Sequence, residues 1–252
     1  MTPPGFFDGM GYPFRGVKHL LGHRELWPYA AKSLVVGILL FMLLIAIAAG
    51  LVLGVFSNPF EFKTVLLGCA AAALGVVGGI VLFALIGNVI AGPYLEAMTE
   101  RMMADPARLR EDASAGQGRL RETPRGYGAA FGAGLVDQLG RFALFLAVQG
   151  MLFGLWLTPA ALVHPLAAGG VTAFFVAIEH LEYPLEARGL RFFARIDWGF
   201  KRLWPSLGFG TTLMFVMPFA GFLLLPAAVC GAVLLEQDLE RAGAKAGGAA
   251  PA

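Results

Sequence analysis

Two stretches of sequence decide the fold: residues 33–56, SLVVGILLFMLLIAIAAGLVLGVF, and residues 65–91, VLLGCAAAALGVVGGIVLFALIGNVIA. Neither contains an Asp, Glu, Lys, Arg or His residue. Each exceeds the roughly 20 residues that an α-helix needs to cross about 30 Å of hydrocarbon. Between them, Pro59, Glu61 and Lys63 suit a short loop in water. We therefore predict an all-α integral membrane protein with two long transmembrane helices over residues 31–56 and 65–91.

The composition of the whole chain agrees with this prediction. Of the 252 residues, 58% are hydrophobic and only 14% are charged, whereas a soluble domain is typically about 25% charged. The formal net charge of +2 is too small to indicate nucleic-acid binding. The lipid bilayer is the partner that this composition predicts.

The N-terminal 30 residues are predicted to lie at the membrane surface. Residues 1–12 are rich in Gly, Pro and aromatic residues and indicate an irregular lead-in. Residues 14–29 place apolar side chains at helical spacing beside basic ones, which is typical of an amphipathic interfacial helix. Trp27 and Tyr29 would anchor its end at the headgroups.

Two further apolar segments are predicted to form re-entrant helical hairpins, over residues 142–178 and 206–235. The second arm of the first hairpin, residues 166–178, is too short to span a bilayer. The last segment is interrupted by Pro218 and Pro226, which break helices. A complete crossing by this last segment is the alternative. A cytoplasmic helical region covers residues 92–141, so that residues 1–240 form a single membrane domain with a disordered tail at 241–252.

The distribution of basic residues predicts how the chain is oriented in its membrane. Lys63 is the one basic residue between the two long spans, and the other eighteen Lys and Arg lie before, after or between the remaining apolar segments. Basic residues favour the cytoplasmic side. This predicts cytoplasmic N- and C-termini, with the loop at residues 57–64 outside.

One block carries a resemblance to a known family. Residues 177–192, AIEHLEYPLEARGLRF, resemble a signature of the CysZ-type sulfate permeases and the related etoposide-induced protein family. The matching residues are Glu179, Leu181, Tyr183, Pro184, Arg188, Gly189, Leu190 and Phe192. Residues 16–26, GVKHLLGHREL, are similar to the family's opening motif, although Lys18 replaces an arginine there. Residues 91–96, AGPYLE, resemble the segment after the family's second span.

The resemblance implies a function that composition and spacing do not provide. It implies an inner-membrane permease for sulfate or a similar oxyanion, which feeds cysteine synthesis and assembles as a homo-oligomer. The nearly complete absence of ionisable residues from the apolar segments favours a channel-like route over a proton-coupled one. The alternative is a non-transporting interaction or scaffold protein of the same family, or a subunit of a larger membrane complex.

The candidate substrate-binding residues are Arg24, which matches an arginine of the family's opening motif, and Lys18. A guanidinium offers a planar fork of donors that suits an oxyanion. The competing interpretation is that Arg24 pairs with lipid phosphate. We predict no metal site, no cofactor and no enzymatic activity, since no nucleophile–base pair, phosphate loop or cofactor motif is visible in the sequence.

The spacing of Glu179, Glu182 and Glu186 places three carboxylates on one helical face, and Arg188, Arg191 and Arg195 repeat this spacing. Two interpretations stay open: salt bridges across an assembly, or a solvated helix next to the membrane.

Overall fold

The computed structural model describes residues 4–56, 90–104, 127–156, 158–220 and 224–247. All regular secondary structure in these ranges is helical. Short 3-10 turns at Arg24–Leu26 and Pro159–Val163 join neighbouring helices. We number the helices α1 (Phe6–Gly22), α2 (Trp27–Phe56), α3 (residues 90–103), α4 (Tyr127–Leu155), α5 (His164–Ala187), α6 (Phe192–Lys201), α7 (Leu203–Ala220) and α8 (Leu225–Gly247).

Helix α1 packs against both α7 and α8, so the two ends of the chain meet. Its first turn is stabilised by Asp8, whose carboxylate accepts a hydrogen bond from the Gly5 N–H at 2.8 Å. The inner face of α1 is narrow because Gly9 and Gly16 lie on it, both buried. A Cβ atom at Gly16 would fall on the Ala227 carbonyl oxygen. Glycine therefore permits the close approach of two helix backbones here.

Glycines on α7 and α8 complete the same contact from the other side. A Cβ at Gly208 would fall on the carbonyl oxygen of Phe6, and one at Gly231 would crowd that of Tyr12. On its opposite side, α7 approaches α5, where a Cβ at Gly210 would fall on the Ala173 carbonyl. Small residues of this kind allow tight helix packing in membrane proteins.

Two apolar clusters form the core, and α5 contributes to both. The larger cluster joins α1, α5, α6, α7 and α8 around Tyr12, Leu181, Phe209 and Leu235. The smaller cluster joins the turn before α2 to α3, α5 and α8, with Tyr183 and Leu95 among its members. Helix α4 packs on α5 to form a hairpin.

Among the residues that the structure describes, three helical segments are long and apolar enough to cross a membrane: Arg24–Ile47, Gln138–Leu155 and Ala161–Ala187. Most side chains of the first two face outward, and many of these are large and apolar, such as Leu39, Met42 and Met151. Such surface suits lipid or another protein rather than water.

The structure differs from the sequence-based predictions at several boundaries. Helix α1 begins at Phe6, where an irregular lead-in was predicted, and its inner face packs against protein. The second arm of the first hairpin was predicted as residues 166–178. It is instead the 24-residue helix α5, which includes the charged residues up to Ala187. The predicted disordered tail from residue 241 is helical through Gly247. Helix α3 continues through Gly92 and Pro93.

Other predicted segments lie outside the described residues, namely the loop at residues 57–64 and nearly all of the second span at 65–91. Part of the predicted cytoplasmic region, 105–126, also lies outside. The last apolar segment does form two helices, α7 and α8. The arrangement as two full spans and two partial hairpins stays a prediction.

Candidate functional site

Lys18 and Arg24 lie at the turn where α1 ends and α2 begins. Helix α1 ends at Gly22, where the His23 N–H donates to the His19 carbonyl at 3.1 Å. Leu26 fixes the following 3-10 turn by inserting into the smaller core cluster. The Trp27 indole N–H donates to the Leu20 carbonyl at 2.9 Å across the turn. These contacts of His23, Leu26 and Trp27 therefore fix the backbone around Arg24.

Both predicted binding side chains are exposed. Within the described part of the chain, neither Lys18 nor Arg24 has a hydrogen-bond or ion-pair partner. Their positive charges are therefore available to an external anion. A lipid phosphate and a dissolved oxyanion would both meet this requirement.

Two histidines lie beside these cations. The His19 and His23 rings stack with centroids 3.9 Å apart, and His23 Nδ1 lies 2.8 Å from the His19 carbonyl oxygen. Burial and the neighbouring His23 lower the pKa of His19, while Glu25 opposes this effect. His19 is therefore largely uncharged at neutral pH and adds little positive charge to the turn.

The residues that carry the family resemblance build a helix end. Gly189 has φ +77°, the left-handed conformation that favours glycine. Its N–H donates to the Glu186 carbonyl at 2.7 Å, and the Leu190 N–H donates to the Leu185 carbonyl at 3.0 Å. This pair of hydrogen bonds is the Schellman motif, and Leu190 packs on the same core as Leu185. The motif therefore fixes the turn from α5 to α6.

Tyr183 and Pro184 of the same block are buried. Tyr183 belongs to the smaller core cluster, while Glu179 is half-buried on α5. In the structure these family-motif residues contribute to packing and to the helix end, rather than to a surface that could meet a substrate.

Arg195 connects α6 to the end of α5. Its guanidinium Nε donates to the Leu190 carbonyl at 2.8 Å and its terminal nitrogens lie 3.2 Å from Glu186 and 4.0 Å from Glu182. Glu182 also pairs with Arg141 of α4. Arg141, Glu182 and Arg195 are mostly buried, so these pairs are shielded from water. The charges at the open end of the α4–α5 hairpin are thus neutralised within the chain.

Arg188 connects the same turn to α8. It lies 2.5 Å from the Glu236 carboxylate and 3.5 Å from that of Glu240. Arg202 also contacts Glu240, at 2.9 Å, and stacks on Trp198 with its guanidinium carbon 4.4 Å from the ring centre. Burial raises the pKa of Glu236 to about 7, although Arg188 acts to lower it.

Several of these charges pair within the chain. Glu182 and Glu186 of α5 pair with arginines of α4 and α6, whereas Arg188 pairs with α8. Arg191 is exposed at the start of α6. Sequence reasoning missed Glu236 and Glu240, although their spacing of four places both on one helical face.

No group of three or more metal-binding side chains is found among the described residues. His180, next to the carboxylate face, is buried, and its Nδ1 lies 2.9 Å from the carbonyl of Val176 on its own helix.

The chain has long apolar helices whose apolar side chains face outward. These helices are typical of a helical membrane protein. The family model described as sulfate transporter CysZ/etoposide-induced protein 2.4 matches residues 12–226. The chain belongs to this family.

One similar protein is sulfate transporter CysZ of Pseudomonas fluorescens. It is 29% identical over 107 residues, which make up 40% of this chain and 36% of that protein. The matched region therefore spans about a third of that relative's length.

Proposed function

We propose that this protein is a permease for sulfate or a similar oxyanion in the bacterial inner membrane. It conducts the anion in a channel-like manner and supplies sulfur assimilation. Membership of the family over residues 12–226 is the observation that carries this proposal. The name of the Pseudomonas relative, a sulfate transporter, supports it.

Lys18 and Arg24 are proposed to receive the anion. Three arginines around the α5–α6 turn, Arg188, Arg195 and Arg202, pair with carboxylates, so these three side chains present little positive charge to an oxyanion. The turn between α1 and α2 instead presents two exposed cations without a protein partner among the described residues. Its position at the start of an apolar helix would place a bound anion at the membrane surface.

The orientation is proposed from the grouping of charged segments. Contacts join Arg15 to Asp238 at 3.3 Å and Arg188 to Glu236 at 2.5 Å. The N-terminal segment, the α5–α6 turn and the C-terminal helix therefore share one end of the molecule. Because these segments are rich in basic residues, we propose that this end faces the cytoplasm.

Assembly as a homo-oligomer is also part of the proposal. Helix α4 presents Leu146, Met151 and Phe153 outward, and a second copy could cover such a surface. Chemical cross-linking in native membranes tests this point independently of transport.

The function is tested by the uptake of radiolabelled sulfate into proteoliposomes that contain only this protein. Wild-type protein should carry sulfate at a rate well above that of empty vesicles. A charge-assisted hydrogen bond contributes about 1.5–3 kcal/mol. The Arg24→Ala variant should therefore raise the half-saturating sulfate concentration roughly 10- to 150-fold.

The matched control is Arg191→Ala, which removes another exposed arginine and should leave uptake unchanged. Arg24→Lys should recover part of the affinity, because a point charge lacks the bidentate geometry. Full uptake by a well-expressed Arg24→Ala protein would remove Arg24 from the site but preserve the proposed function. Absence of uptake by folded wild-type protein would overturn the function itself.

The second candidate function is that of a non-transporting scaffold protein. The description of the matched family names an etoposide-induced protein as well as a sulfate transporter. Purification in mild detergent distinguishes the two. If the protein is a scaffold, it should copurify with its partners as a stable heteromeric complex and should show no sulfate uptake.

A further inference from the structure

Glu236 is a fully buried carboxylate close to the end of the fold. It lies on α8 directly after the apolar part of that helix, and its side chain has 0% exposure. Its neighbours Leu235 and Leu239 are buried members of the larger core cluster. One carboxylate oxygen lies 2.5 Å from Arg188, and the other has no hydrogen-bond partner among the described residues.

The charged groups that act on Glu236 come from three parts of the chain. Arg188 approaches from the α5–α6 turn, Arg202 from the connection between α6 and α7, and Glu240 from the next turn of α8. Helix α1 packs on α8 as well, but its polar side chains Tyr12 and Arg15 contact Asp238. The pairing of Glu236 therefore depends mainly on Arg188.

Arg188 itself is partly accessible, with 37% of its side chain exposed. It therefore keeps much of its hydration while Glu236 has lost its own. A buried carboxylate held by one partly solvated arginine incurs a desolvation penalty that a single ion pair offsets incompletely. Uptake of a proton removes that penalty.

We propose that Glu236 is a proton-binding site that controls the attachment of the α5–α6 turn to α8. The ionised carboxylate holds Arg188. The protonated carboxyl leaves Arg188 attracted to Glu240 alone, at 3.5 Å. The turn carries the family's arginine–glycine–leucine block, so its attachment depends on the proton occupancy of α8.

The pH range follows from the direction of the shift. Burial raises the pKa of Glu236 from its ordinary value of 4.5 to about 7. The folded protein therefore binds this proton more tightly than the unfolded chain. Its contribution to global stability is fully present below pH 4.5 and is lost as the pH rises to about 7. The attachment of the turn changes in the opposite direction, because Glu236 binds Arg188 as an ion pair only when its carboxyl group is ionised.

The first experiment detects the proton on the full-length protein in lipid nanodiscs. Infrared difference spectra between pH 6 and pH 8 should show loss of a protonated carboxyl band in the wild type. Glu236→Gln should abolish this component, while the control Asp238→Asn, two residues away on the same helix, should keep it. The proposal is overturned if the component persists in Glu236→Gln, or if the wild type shows none.

The second experiment measures whether the proton controls the turn. Hydrogen exchange of the Gly189 and Leu190 amides, corrected for the intrinsic effect of pH, should be slower at pH 8 than at pH 6. Glu236→Gln should exchange rapidly at both values. Equal protection at both pH values in the wild type, or stronger protection at pH 6, would contradict the proposal.

A third variant keeps the test independent of how well Glu236→Gln folds. Arg188→Gln removes the cation that favours the ionised carboxylate, so the infrared midpoint should move to higher pH. An unchanged midpoint would show that Arg188 does not hold Glu236.

Discussion

The most direct test of the α5–α6 turn is the substitution Gly189→Ala. Gly189 has φ +77°, and an L-residue in this left-handed conformation costs about 1–2 kcal/mol. The added methyl group meets no other atom within 4 Å, so the effect should come from backbone strain alone. Gly189→Asn should be milder, because asparagine tolerates this conformation better than alanine.

A matched control lies on the same helix. Gly169 is in the interior of α5 and also has open space around it. Alanine at Gly169 should stabilise the helix by about 0.5–1 kcal/mol, because it restricts the unfolded chain and favours the helix. The same chemical change is therefore expected to have opposite signs at the two positions.

Thermal unfolding in detergent, followed by tryptophan fluorescence, measures both effects. Trp198 suits this assay because it lies in the core cluster on which Leu190 packs. With about 2–4 °C per kcal/mol for a chain of this size, Gly189→Ala should lower the Tm by about 2–8 °C. Gly169→Ala should raise it by about 1–4 °C. A rise in Tm for Gly189→Ala would refute the left-handed conformation of this residue in the folded protein.

Two further predictions concern packing and orientation. Gly208→Ala should destabilise the protein by about 1–3 kcal/mol, because the added methyl group would overlap the Phe6 carbonyl. The control Gly11→Ala should not destabilise it, because there is open space around Gly11. Equal Tm values for the two variants would contradict the docking of α1. Cysteine at Phe193, which is 78% exposed, should react with an impermeant thiol reagent only after permeabilisation, whereas cysteine at Lys63 should react in intact cells. Labelling at position 193 from outside would reverse the proposed orientation.

The sequence predicted the helical membrane class well because the lengths of apolar runs are a local property. In a run such as residues 33–56, a helix in lipid satisfies the backbone hydrogen bonds within the segment itself. The family was also recognised correctly, and the structure shows why its block is recognisable. Within that block, Gly189 adopts the left-handed conformation that favours glycine, just after the end of helix α5.

The docking of α1 was not predictable in the same way. Its buried face consists of Gly9, Tyr12, Pro13 and Gly16, and the glycines and proline in this set suggest an irregular segment. The fit depends on glycines of α7 and α8 about 200 residues later in the chain. Such complementarity between distant segments is invisible to a window of local sequence.

The ion pairs were equally difficult to assign. The sequence placed glutamates and arginines at helical spacings but did not indicate which would meet. Glu236 directly follows the last predicted apolar segment, residues 206–235, and no role was predicted for it. Contacts with Arg188 and with the core keep this part of the chain helical. The roles of Lys18 and Arg24 stay predictions, since they depend on a ligand.

The position of α1 between α7 and α8 has a consequence for the order of synthesis. The ribosome makes α1 before it makes α7 and α8, which form the surface that receives α1. At about 5–20 residues per second, the wait between these events is roughly 10 to 40 s. During that time the glycine face of α1 has no native partner and depends on lipid, on the insertion machinery or on a chaperone. A ribosome that stops before α8 therefore releases a chain in which α1 lacks one of its two partner helices, and quality-control proteases could recognise the uncovered face of α1.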